Sequence, residues 1–282
     1  MQSSITIRHA VHYAQSEAMT GSALRENFLI EELFAPGRAN AVYTHYDRLL
    51  LIGVMPDRDA ITLGEDMARV VGGEFLLERR EMGLINIGGP GIVRADGGIF
   101  EVGFQDALYL GMGTRNVSFE SADPSAPAKF YINSAPAHAA FPARHIRKAE
   151  AIELHLGDGQ TSNKRTLYQY IHPDVVESCQ LLMGMTRLEP GSVWNTMPAH
   201  THDRRMEAYL YFEVPQDAFV VHLMGRPEAT GHLIVRNEQA VISPPWSVHC
   251  GAGTSAYAFI WSMAGDNKSF KDMDFVPMGD IR

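Results

Sequence analysis

Residues 200–207 read His200-Thr201-His202-Asp203-Arg204-Arg205-Met206-Glu207, and His249 follows in the stretch PPWSVHC, residues 244–250. Side chains on a strand alternate between faces, so His200 and His202 point the same way. Glu207 lies five residues beyond His202, the wrong parity for one straight strand. A turn through Asp203-Arg204-Arg205 removes the conflict. The chain then re-enters a strand at Glu207, with Tyr209 and Tyr211 on its face. His249 must arrive from a third segment, which requires strands that close on one another. Three imidazoles and one carboxylate suit zinc, and also manganese, iron, nickel or copper.

A His-x-His pair alone usually reflects surface chance or core hydrogen bonding. Here it has three supports: the carboxylate that follows, the preceding PGSVWNTMP at 190–198, and the later Pro-x-x-x-His. Cys250 is next to His249, but along a strand its side chain faces the other way, so it is not expected as a ligand.

Working outward, the text from residue 41 alternates short apolar runs with Gly, Pro, Asn and Asp. This spacing reads as an all-β sandwich or barrel. Asp96-Gly97 is a two-residue hairpin turn. Residues 1–35 look helical or mixed, with an amphipathic helix interrupted at Gly21. Residues 121–151 are rich in Pro and Ala and read as one strand and then an inter-domain connection. The tail, residues 267–282, reads as irregular cover. The halves resemble each other: LERREMGLINI at 77–87 matches HDRRMEAYLYF at 202–212, with Glu81 near the place of Glu207. Matching Ala107 with Ala240 sets Asn116 opposite His249. The expectation is an N-terminal domain, 1–145, that keeps the fold without the metal, and a metal-binding domain, 146–282.

The bulk numbers narrow the function. A net charge of -9 without a basic block argues against nucleic-acid and anionic membrane surfaces. Two cysteines cannot build a disulfide framework, which suits a cytoplasmic protein. The first residues lack an apolar signal segment, and no run approaches the ~20 residues of a membrane span.

GSVWNTMPAHTHDRRME, 191–207, resembles the first metal motif of the cupin superfamily, and PWSVH, 245–249, is similar to the second. FLLERREMGLINIGGPG at 75–91, FYINSAPAH at 130–138, TSNKRT at 161–166 and NEQAVISPPWSVHCGAGT at 237–254 look like the 5-keto-4-deoxyuronate isomerases of pectin breakdown. That resemblance runs over nearly the whole chain. It implies a bicupin of two jelly-roll barrels with a short helical N-terminal segment, a homohexamer, and one zinc ion per subunit on His200, His202, Glu207 and His249. It also implies conversion of 5-dehydro-4-deoxy-D-glucuronate to 3-deoxy-D-glycero-2,5-hexodiulosonate. This is an aldose–ketose isomerisation in which a proton moves between C2 and C1.

Such chemistry needs a polarised carbonyl and a base. Tyr209, Tyr211, His222 and Tyr257 sit on strands near the motif, though each is as readily a packed barrel residue. No base is assigned. For the substrate the candidates are Arg165, Arg205 and Tyr257, with Lys164 and Arg204 as competitors for its carboxylate; Arg suits this through its bidentate fork. Three readings compete: a metal-dependent dioxygenase on the same ligands, a non-catalytic sugar-binding cupin, and a phosphosugar isomerase.

Overall fold

Short apolar runs cannot bury a face alone, so the segments after residue 37 pair into sheets. The computed structural model describes residues 3–197 and 199–282, and they are mostly strand. A strand, Ser3–Arg8, and two short helices, Tyr13–Ser16 and Gly21–Phe28, come first. The second helix begins at Gly21, the residue read as its interruption, with Thr20 at the cap position, and it buries Leu24 and Phe28, one turn apart. Among the described residues no helix is long and apolar enough to cross a membrane.

The chain divides into two compact units. One comprises the segment ending at Arg8, Glu32–Ala151 and Tyr170–Met183; the other comprises His9–Glu31, Ile152–Gln169 and Gly184–Arg282.

The first unit holds a seven-stranded sheet whose central strands, in spatial order, are Arg38–Thr44, Leu50–Met55, Phe130–Pro136, Arg80–Asn86 and Ala107–Leu110. A four-stranded sheet contains the hairpin Gly91–Ala95 and Gly98–Val102. Its turn is Asp96-Gly97, with φ of 45° and 87°, the left-handed pair that a two-residue hairpin requires. Ile52, Met82, Leu84, Leu110, Phe119 and Phe130 belong to its core.

A second sheet repeats the order. Arg165–Ile171, Leu182–Leu188, Ala258–Gly265, Arg205–Phe212 and Gln239–Ser243 lie side by side in a seven-stranded sheet. A four-stranded sheet runs Trp194–Asn195, Cys250–Gly253, Val220–Arg226, Ala229–Val235.

Strand register corrects one match between the halves. Met82 pairs with Leu110, and Glu207 pairs with Ser243. Matching Ala107 with Ala240 sets Leu110 on Ser243, and therefore Met82, not Glu81, on Glu207. A one-residue slip turns a side chain to the opposite face of a sheet. Met82 accordingly packs in the core with Leu77, which falls on His202. Glu81 is fully buried elsewhere: it accepts bonds from Tyr109 Oη (2.8 Å) and the backbone N–H groups of Cys179, Gln180 and Leu181 (2.6, 2.8 and 2.8 Å). Asn116, which falls on His249, is exposed and bonded to Asp96. The conspicuous Arg-Arg-Glu of the first half thus carries a structural carboxylate.

Candidate metal centre

His200 and Thr201 form a two-residue strand paired with Asp274–Phe275. The chain then turns at Asp203-Arg204 and resumes as a strand at Arg205, two residues earlier than parity at Glu207 demanded. The turn is closed by Arg205 N–H donating to the His202 carbonyl at 3.1 Å. From Arg205 the alternation sends Glu207, Tyr209 and Tyr211 to one face. His249 is set by a second turn: Ser247 N–H bonds Pro244 O at 2.9 Å, Gly225 N–H bonds Ser247 Oγ at 2.8 Å, and Val248 N–H bonds Gly225 O at 2.9 Å. Trp246, from the same turn, meets Phe28 edge-on at 6.3 Å.

These elements bring the four predicted ligands together, all buried, with one ligand atom from each lying within 4.8 Å of the others. Glu207 Oε2 lies 3.0 Å from His202 Nε2 and 2.9 Å from His249 Nε2, and the latter lies 3.1 Å from His200 Nε2. The outer nitrogens point away from the cluster. His202 Nδ1 is 2.9 Å from the Arg205 carbonyl and His249 Nδ1 is 3.2 Å from the Ser247 carbonyl. A carbonyl can only accept, so both Nδ1 atoms carry a proton, and the two Nε2 atoms face inward, donating to Glu207 while no cation is bound and offering a lone pair to a cation once that proton is lost. Three imidazole nitrogens and one carboxylate with fixed tautomers form a donor set that could hold a divalent transition metal.

The cluster is electrostatically coupled, and its members shift in different directions. Burial, then the neighbouring His249, pushes His200 down to about 3, which keeps it an unprotonated donor. Burial alone would raise Glu207, but the charges and hydrogen bonds of His249 and His202 hold its carboxyl well below the usual range. Burial would lower His202; its bond to Glu207 reverses this and raises it. Cys250 packs with Ala199, Val248 and Val276, and burial pushes its thiol up to about 12, so it is a core residue.

One cavity of about 290 Å³ opens onto His200 and Glu207. Arg165, Arg205, Thr186, Thr196 and Tyr209 supply its other polar groups, and the rest of the lining is Leu, Met, Phe and Trp261. Arg165 is half-buried and donates once, to Asn163 O at 2.8 Å. Arg205 is fully buried and donates to Ser269 O (2.7 Å) and Asp272 O (3.1 Å). Those carbonyls belong to the tail segment that contributes Phe270, Met273 and Phe275 to the lining. The irregular tail is therefore part of the cavity wall.

Other candidates are placed differently. Tyr257 is not among the lining residues; its hydroxyl donates to Gly251 O (3.1 Å) and accepts from Asn195 Nδ2 (2.8 Å). Lys164 is exposed and away from the lining. Arg204 pairs with Asp272 and Asp274. Tyr209 and Tyr211 are held protonated, chiefly by burial, which argues against either as a resting base. Tyr209 Oη lies 3.1 Å from Thr196 Oγ1, and Tyr211 Oη lies 2.7 Å from His222 Nδ1. Sequence reasoning passed over Trp261, Met263 and Phe259. The signal was present, because alternation along Ala258–Gly265 sets these three on one face.

His222 is fully buried and pushed down to about 3 by that burial. It is neutral in the folded chain, whereas an unfolded histidine titrates near 6.5. Between these values the unfolded state binds the extra proton. The contribution of His222 is thus full above about pH 6.5 and is lost as pH falls towards 3. Between pH 7 and 4.5, urea midpoints of the metal-free protein are expected to fall less in His222→Gln than in the parent. Equal falls in both would refute the assignment.

The chain is 54% identical over 276 residues to a 4-deoxy-L-threo-5-hexosulose-uronate ketol-isomerase of Caldicellulosiruptor bescii, covering 98% of this chain and 99% of that protein. It is 49% identical over the same shares to the enzyme of that name from Dickeya dadantii. Among solved structures, an IolB-like protein of Salmonella typhimurium superposes with a TM-score of 0.68 at 19% identity, covering 81% of this chain and 87% of that one. Oxalate decarboxylase of Lactobacillus farciminis superposes with a TM-score of 0.56 at 10% identity, covering 78% of each chain; at such identities the likeness speaks for the cupin-like fold alone. The KduI/IolB family model matches residues 55–278, a span that includes the ligand turns, the cavity strands and most of the tail, and the chain belongs to that family.

Proposed function

We propose that the protein is a ketol-isomerase that interconverts 5-dehydro-4-deoxy-D-glucuronate and 3-deoxy-D-glycero-2,5-hexodiulosonate. The observation that carries the reading is a four-ligand cluster at the wall of a cavity also lined by two arginines, in a chain 54% identical to an enzyme named for this substrate.

His200, His202, Glu207 and His249 would hold a divalent ion, with zinc the first expectation from three imidazoles and a carboxylate. Bound there, the ion would supply Lewis acidity for a carbonyl oxygen of the substrate, acidifying the adjacent C–H. The chain's own residues do the rest. Arg165, with donors left over after its single bond, is assigned to the substrate carboxylate, for which a guanidinium fork is suited. Arg205 is assigned to a supporting role, because two of its nitrogens already hold the tail. The Met and Phe walls exclude water and suit the methylene of a 4-deoxy chain, which offers fewer hydroxyls than an ordinary hexuronate. Tyr209, held protonated, donates or relays rather than abstracts.

The remaining assignments are consistent with this reading. The repeated sheet order supports two barrels of the cupin type, the second carrying the metal. Met82 and Leu77, at the register positions of Glu207 and His202, support a first barrel without one. A cytoplasmic homohexamer rests on the family resemblance.

The test is direct. Purified protein is mixed with the 5-keto-aldehyde obtained from unsaturated uronate, and the C1 proton is followed by NMR. The expected result is loss of the aldehyde signal and growth of the ketose. An unchanged signal would refute the isomerase and favour a binding cupin, while oxygen uptake with an iron-loaded protein would favour a dioxygenase.

A further inference from the structure

Of the exposed large apolar side chains among the described residues, Phe275 alone lines the metal cavity. Single apolar side chains are ordinary on a protein surface, so exposure by itself asks for nothing. The position of this one does. Phe275 is 61% exposed, and its ring meets that of His200, a candidate ligand, edge-on at 6.0 Å. The free side of the phenyl therefore stands beside the metal cluster, where the cavity meets solvent. The backbone, not the ring, holds this residue in place. His200 pairs with Phe275 and Thr201 with Asp274 across two short strands, and Val276 N–H donates to Ala199 O at 2.9 Å. Arg204 Nη2 donates to Asp274 Oδ2 at 2.8 Å. Val276 packs with Ala199, Val248 and Cys250, and the alternation of an extended chain turns Phe275 the other way. A ring fixed by its backbone, wet on its free side and set at the rim of a mostly apolar cavity is pre-organised to cover what enters. A ligand whose oxygens reach the cluster passes its carbon chain beside it.

We propose that Phe275 is a substrate-contacting residue whose ring packs on the carbon chain of the bound keto-uronate and covers it from solvent. The inference rests on the isomerase reading for the ligand's identity, but not for the position of the ring. Phe275→Ala is expected to raise KM about 5- to 20-fold, as for the loss of a partly buried phenyl contact, while kcat changes by less than about threefold. Phe275→Leu should fall between. Metal content and thermal midpoint stay at parent values in both, because the side chain is mostly exposed in the free protein.

An independent readout places an indole at the rim. In Phe275→Trp, the emission beyond that of the three native tryptophans comes from position 275 and should be quenched readily by acrylamide. Added to the metal-loaded variant, the keto-uronate should shift this emission to the blue and protect it from the quencher. An active parent, with unchanged KM in Phe275→Ala and unprotected emission in Phe275→Trp, overturns this proposal and leaves the isomerase standing. A raised KM without protection also overturns it, since the ring then acts without being covered. Protection in a protein that does not isomerise supports the contact and overturns the isomerase. Protection that appears with rising protein concentration alone assigns the ring to a second copy of the chain and overturns the contact.

Discussion

Replacing His249 by alanine is expected to strip the metal and to lower isomerisation by about 1,000-fold. The size follows from chemistry that asks a Lewis acid for several kcal/mol of charge stabilisation, at about 1.4 kcal/mol per decade of rate. His249 contacts both Glu207 and His200 and comes from a separate turn, so no neighbour can take its place. Even loss of a group that only orients a ligand costs about 10–100-fold in metal affinity. The fold should survive, because the strands Arg205–Phe212 and Cys250–Gly253 keep their pairings without the imidazole. Elemental analysis and the C1 proton assay check both halves. Full turnover by a metal-free His249→Ala protein would end the proposed mechanism.

Arg205→Ala is the second large effect, and it reports on architecture. Arg205 is 1% exposed and ties two backbone carbonyls of the tail, Ser269 O and Asp272 O, to the strand that carries Glu207. Its loss leaves those acceptors unpaired and a void behind the cavity wall, a cost of about 3 kcal/mol. The tail segment with Phe270, Met273 and Phe275 should then open, giving trypsin a flexible backbone at Lys268 and Lys271 and raising KM. Arg205→Lys should be intermediate, since an ammonium cannot serve both carbonyls as a planar fork does. Arg204→Ala removes a more exposed pairing with Asp272 and Asp274 and should matter less. Unchanged protease resistance and denaturation midpoint in Arg205→Ala would show that the tail is held by other means.

Much of the site is legible in the order of residues. His200, His202 and the turn that restores Glu207 follow from the two-residue period of a strand and one parity conflict. The hairpin at Asp96-Gly97 follows from the left-handed φ that its two-residue turn demands. Less legible is the pairing of Glu81 with Glu207. Similar text invites that match, and only strand register shows that Met82 holds the position. Tyr257 illustrates a related limit: a tyrosine next to a motif can spend its hydroxyl on Gly251 and Asn195. The tail carries no periodic signal that could join it to the cavity.

By itself, the sequence determined the mostly-β class and the four members of the candidate metal cluster, which rest on residue type and short-range periodicity, and the family to which the chain is similar, which rests on motifs spread along it. The tertiary structure alone decided which side chains share one cavity with them. Arg165, Trp261 and Phe275 meet His200 and Glu207 there across large sequence separations, and which face of a strand looks inward depends on register with strands far away in the chain. Local propensity has no access to that choice. It is made when distant strands pair and the buried polar groups must find partners.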